Sequence, residues 1–149
     1  MVLEDAIKTK KFKSEYQKAI VNILYTNSWL TTKMTHLLKP YGVTHQQYNI
    51  LRILHGRYPD PMTIGLLTER MLDKMSNASR LVEKLRAKRL LERIPCPKDR
   101  RAVDVIITGE GLKLLKAIYA ELEVFEKQHL NISKEDAEAL NRLLDKMRS

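Results

Sequence analysis

The stretch from Thr63 to Thr108 limits what this chain can fold into more than any other. Thr63 can cap the free N–H groups of Ile64 to Leu66. It opens a first short helical pattern whose apolar side is Leu66, Leu67 and Met71. Leu72 to Met75 form a turn, and Ser76 is placed to cap a second helix running to about Lys88. In that helix Ala78, Leu81, Val82 and Leu85 recur at helical spacing and make the buried stripe. Asn77, Ser79, Arg80, Glu83, Lys84 and Arg86 fall off the stripe and face outward. Leu90 to Ile94 and Ala102 to Ile107 then read as two strands of a hairpin, with Pro95, Pro97 and Asp99 breaking the pattern between them.

Charge is concentrated on this unit. From Lys74 to Asp104 ten Lys and Arg stand against four acids, so +6 of the chain's formal +9 lies there. That is the electrostatic footprint of a duplex-DNA reader built as a winged helix–turn–helix. Small polar and basic residues in the first turns of the second helix suit recognition, because N-terminal residues reach base edges in the major groove. The candidate readers are Ser76, Asn77, Ser79, Arg80 and Lys84. Arg80 can pair bidentately with a guanine, and Asn77 with an adenine. At the hairpin tip Lys98, Arg100 and Arg101 suit a phosphate backbone or a narrow minor groove. Asp99 is expected to orient a neighbouring arginine, since phosphates repel a carboxylate. Solvated charge alone explains a basic helix face or a basic hairpin. Helix, turn, capped helix and basic hairpin in this order are what favour the DNA reading.

The remainder of the chain predicts helices. From Ser14 to Leu38, Tyr16, Ile20, Ile23, Asn27, Leu30, Met34 and Leu37 form a narrow seam, apolar but for Asn27, widened by Leu24, Trp29 and Leu38 and stopped at Pro40. Thr44 and Gln47 make a capping box for a helix that carries Tyr48, Leu51, Ile53 and Leu54 inward and ends near Gly56. After the loop from Arg57 to Pro61, Pro61-Met62 is expected to lend a short strand to the wing sheet. Beyond Thr108, Leu115, Ile118, Leu122 and Phe125 mark a helix of about five turns. Ser133 with Asp136 caps a last helix with Ala137, Leu140, Leu143, Leu144 and Met147 on one face. The fold class is therefore mostly α with a small β-hairpin wing. At 149 residues one domain is expected. Its winged-helix DNA-binding lobe would span about 44–108, flanked by dimerisation helices at about 1–40 and 109–149. Amphipathic terminal helices with no partner between them fit a symmetric homodimer.

Several stretches resemble the MarR family of transcription regulators: the run Ser79–Leu85 (SRLVEKL), Leu90–Arg93 (LLER), the Asp99-Arg100-Arg101 triplet, and Gly109–Leu115 (GEGLKLL). The resemblance implies a homodimer on a palindromic operator in double-stranded DNA, a repressor in most relatives, and release by a small-molecule effector. An effector pocket would lie between the dimer helices and the DNA-reading lobe, near Tyr25, Trp29, Met34, Tyr41 and Tyr48. Side chains of these types at such places more often form plain core. One departure stands out. The family commonly has glycine between recognition helix and strand, where this chain has Arg89. A side chain on left-handed backbone there costs roughly 1 kcal/mol.

Catalytic chemistry is not encoded. No G-x-x-x-x-G-K-[ST], G-x-G-x-x-G or G-x-S-x-G motif occurs, and His36, His45, His55 and His129 lie without metal-ligand spacing. No cofactor and no enzymatic activity are expected. No apolar run reaches membrane-spanning length, which with the absence of a secretory signal predicts a cytoplasmic protein. The single cysteine, Cys96, sits among cations that favour its thiolate, but no second cysteine exists to resolve an oxidised one. A passenger role is expected. The competing reading is a winged-helix interaction module whose basic face binds an acidic protein or RNA without reading sequence.

Overall fold

The computed structural model describes residues 1–95, 98 and 103–149. The chain divides into two compact units, Met1–Leu115 and Lys116–Ser149. The first is built around α3 (His45–Arg57), which packs on the long α2 (Glu15–Leu38), on the short α4 (Ile64–Arg70), on α5 (Ala78–Ala87) and on strand β3 (Val103–Ile107). Such a central position requires apolar residues on more than one face of α3. Tyr48, Ile50, Leu51, Ile53 and Leu54 are all buried. Its start is the expected capping box: Thr44 Oγ1 accepts from Gln47 N–H at 3.2 Å, and Gln47 Oε1 accepts from Thr44 N–H at 3.0 Å. Gln47 is itself buried, so the box also satisfies an interior amide.

The sheet has the order β1-β3-β2, all antiparallel. β1 (Met62–Thr63) supplies the expected third strand one residue later than Pro61-Met62 and pairs Met62 with Val105. β2 runs over Leu91–Pro95, so Pro95 ends the strand opposite Val103 instead of breaking it. β2 is an edge strand, where a residue without an N–H is tolerated. Cys96, Pro97, Asp99, Arg100, Arg101 and Ala102, six residues singled out in the sequence, lie outside the described residues.

Pro40 ends the long helix through a 3-10 turn, Lys39–Tyr41, which closes on Gly42 at φ +69°. A short helix that periodicity could not reveal, α1 (Leu3–Ala6), precedes it. It buries Leu3 and pairs Glu4 with Lys18 of α2. The seam of α2 is largely uncovered. Tyr16, Ile20, Ile23, Leu24 and Tyr25 are exposed, and Leu38 alone among its described side chains is buried. α6 (Gly109–His129) begins in the first unit and continues into the second, which also holds α7 (Lys134–Met147). α7 carries its expected capping box, with Ser133 Oγ accepting from Asp136 N–H and Asp136 Oδ2 accepting from Ser133 N–H, each at 3.1 Å. No residue of α7 is buried, and Leu140, Leu143 and Met147 are exposed.

Candidate nucleic-acid interface

α4 and α5 are held at their angle by a buried amide. Asn49 of α3 accepts the N–H of Leu72 on its Oδ1 at 3.0 Å and so ties the inter-helix turn to the core. Its Nδ2 is buried without a partner. Nothing in the periodicity marks Asn49, because it falls among apolar neighbours and its partner lies 23 residues away. α4 opens as expected, with Thr63 Oγ1 accepting from Leu66 N–H at 3.1 Å. It buries Leu67, and Met71 just past its end is buried too.

The start of α5 corrects one expectation. Asn77, not Ser76, is the cap: its Oδ1 accepts from Arg80 N–H at 3.1 Å. The shift follows from the turn. Asp73 Oδ1 accepts from Met75 N–H at 2.9 Å and Asp73 O accepts from Ser76 N–H at 3.2 Å, which carries the turn through Ser76. Ser76 is half-buried, and its Oγ is buried with no hydrogen-bond partner among the described residues. Asn77 is exposed, but its oxygen is engaged in the cap, so a bidentate adenine contact would have to release it. Ser79, Arg80 and Lys84 are exposed, opposite the buried Ala78, Val82 and Leu85. Among the described residues no salt bridge occupies Arg80 or Lys84. Lys98, the one described residue of the wing tip proper, is exposed.

Two arginines outside the expected set belong to this surface. Arg86 donates from Nε to both oxygens of Glu83 at 3.1 Å, and Arg93 of β2 donates from Nη1 to Glu83 Oε2 at 3.2 Å. The hydrogen bond from Arg86, with the charges of both arginines behind it, holds the Glu83 carboxyl below its ordinary value. The Glu83–Arg86 spacing was legible as an i,i+3 pair; Arg93 arrives only through the fold.

The joint between α5 and β2 answers the question posed by Arg89. The helix ends in a double turn, with Leu90 N–H donating to Leu85 O at 3.1 Å and Arg89 N–H to Arg86 O at 2.9 Å. This pattern requires left-handed backbone at Arg89, which sits at φ +61°. On its far side Thr108 Oγ1 donates to Arg89 O at 2.8 Å and accepts from Gly111 N–H at 3.1 Å, and Thr108 N–H donates to Leu90 O at 3.1 Å. The turn is not rebuilt around the missing glycine; the arginine is accommodated in it.

Among the described residues no group of acids, histidines and cysteines is arranged to hold a metal ion. A cleft of about 360 Å³ beside α2 and α3 is lined by Asn27, Thr31, His45, Gln46 and Asn49 with Met71 to Asp73 of the turn. The five residues expected around an effector do not line it: Tyr48 is buried and Tyr25 is exposed.

A family model described as MarR family matches residues 41–102, from the end of α2 through α5 to the wing. Over those residues the chain is similar to the MarR family. The HTH-type transcriptional regulator SarZ of Staphylococcus aureus is 28% identical over 125 residues, spanning 83% of this chain and 82% of that protein. A solved MarR transcription factor from Planctomyces limnophilus is 27% identical with a TM-score of 0.69, covering 93% of this chain and 98% of that one. A mutant E. coli MarR complexed with operator DNA has a TM-score of 0.78 at 20% identity, covering 93% and 99% of the two chains. At that identity the likeness is one of fold, and it extends to the mostly helical architecture with its three-stranded sheet.

Proposed function

We propose that this chain is a MarR-family transcription regulator that acts in the cytoplasm as a homodimeric repressor, reading a palindromic operator in double-stranded DNA through the first turns of α5. The observation that carries the reading is the exposed Arg80, in no salt bridge among the described residues, beside Ser79 and Lys84 on a helix whose opposite side buries Ala78, Val82 and Leu85. A rigid helix with mobile cationic and hydroxyl side chains at its outer face is what direct readout needs. The wing residues Lys98, Arg100 and Arg101 supply phosphate contacts, with Asp99 orienting an arginine. That fold neighbours have been solved with DNA, among them the E. coli protein with its operator, supports the same assignment. Exposed apolar faces on α2 and α7 support dimerisation. Release by a small molecule rests on the family resemblance alone.

A gel-shift titration with duplexes from the DNA flanking its own gene, against scrambled duplexes of equal length, tests this. Arg80→Ala should cost about 1–3 kcal/mol on the preferred duplex and much less on the scrambled one. Equal loss on both would mean that α5 reads no bases. Wild-type binding indifferent to sequence would instead favour a module for acidic protein or RNA.

A further inference from the structure

The outer face of α5 carries an acid in its middle. Glu83 follows Arg80 by three residues and Ser79 by four, so it leaves the helix on the same face one turn further on. On a surface that meets a polyanion, a bare carboxylate there would be repelled. It is not bare, because Arg86 from the next turn and Arg93 from β2 both donate to it. All three side chains are between 42% and 49% exposed, within reach of solvent and of any duplex docked on this face. The hydrogen bond from Arg86 holds the Glu83 carboxyl below its ordinary value.

We propose that Glu83 sets the sequence discrimination of this surface by withholding the Arg86 and Arg93 guanidiniums from DNA phosphates. The inference rests on the DNA reading of α5. Phosphate contacts add affinity for every duplex, whereas base contacts distinguish one from another. A free guanidinium on a long, mobile side chain finds a phosphate in any register of a loosely docked complex. In the specific complex the base contacts fix the register, and the same guanidinium gains only what that one geometry allows. Tying both arginines to one carboxylate therefore lowers non-specific binding more than specific binding. The Arg93 contact also spans from helix to wing, so the two elements that straddle the backbone keep a set spacing.

The test uses the full chain as wild type, as Glu83→Gln, and as Glu83→Gln combined with Arg86→Gln and Arg93→Gln. Two duplexes serve as probes: one selected with the wild-type protein from a random pool, and one of random sequence and equal length. Glu83→Gln is nearly isosteric at an exposed position. It should bind the random duplex more tightly, with a log K against log salt slope steeper by about 0.9 for each freed guanidinium. Each such step makes affinity fall about 3.5-fold further between 50 and 200 mM salt. The ratio of selected to random affinity should drop, and the triple variant should bring the slope back to the wild-type value or below. An unchanged slope and ratio, or weaker binding on both duplexes alike, overturns the proposal while leaving the DNA reading in place. A wild type without preference for its selected duplex overturns the reading beneath it as well.

Discussion

A glycine and an arginine mark the joint where α5, the sheet and α6 meet. A Cβ on Gly111 would lie 2.3 Å from Leu90 O and 2.6 Å from Ile107 Cγ1. The carbonyl belongs to backbone already held by Thr108 N–H, so it cannot simply swing aside. Gly111→Ala should cost on the order of 3 kcal/mol, read as a lowered urea midpoint; a change within error would mean that the close approach is absent in solution. Arg89 is the opposite case. Its left-handed backbone strains a residue with a Cβ by about 1–2 kcal/mol, and glycine returns about 0.5–1 kcal/mol of that through the unfolded chain. Arg89→Gly should therefore stabilise the fold by roughly 0.5–1 kcal/mol in the same assay, and a loss would show that the arginine's own contacts outweigh the strain. The identity of Gly111 was visible in the motif from Gly109 to Leu115, but the reason for it was not. A close approach between Gly111 and Leu90, 21 residues apart, leaves no local pattern.

Elements were legible where the signal is local. Both capping boxes, at Thr44 and Ser133, form as their spacing predicts, because each involves side chains and N–H groups within one turn. The second box makes α7 sensitive to acid. Backbone and hydroxyl hydrogen bonds from Ser133 hold Asp136 below its ordinary value. A carboxyl lowered on folding adds stability that is complete above its unfolded value and is lost as pH falls through the folded one. Glu4, Glu83 and Glu123 are lowered too, so global melting would mix them. Amide exchange at the first turn of α7 isolates the box. Protection there should fall as pH drops below the ordinary aspartate range, and Asp136→Asn should remove that dependence. Exchange corrected for its intrinsic rate and flat with pH in the wild type would refute the assignment. The boundary missed by sequence was the start of α5, where Ser76 and Asn77 are both good caps and only the Asp73 turn chose between them.

At the scale of the molecule, the apolar faces of α2 and α7 are each left open by the chain that carries them. Leu143 and Met147 are both 54% exposed, and Tyr16 and Leu24 more so. Continuous exposed apolar stripes of this kind signal association. Sedimentation at micromolar concentration should give a species of twice the 17.4 kDa chain mass. Leu140→Glu with Leu143→Glu should shift it to monomer, at a cost to association of about 2 kcal/mol or more, without unfolding the winged-helix unit. A monodisperse wild-type monomer would refute dimerisation. Among the described residues no helix is long and apolar enough to cross a membrane, so these stripes are not spans.

What the amino-acid order determined by itself was everything that depends on neighbours within a turn or on strand alternation. The two-helix unit and its buried stripe, the hairpin, the third strand near Met62, the caps at Thr44, Thr63 and Ser133, and the concentration of charge all belong to that class. Tertiary structure alone decided which polar groups meet across distance. Asn49 holds the Leu72 turn, Arg93 reaches Glu83, and Thr108 bridges Arg89 and Gly111. It also decided that Ser76 turns inward and that Arg89 adopts left-handed backbone. The physical reason is the same throughout. Helical and strand periodicities are set by short-range sterics and hydrogen bonding, which composition along the chain reports directly. Contacts between distant segments are chosen by the packing of the whole core, and no local window of sequence contains it.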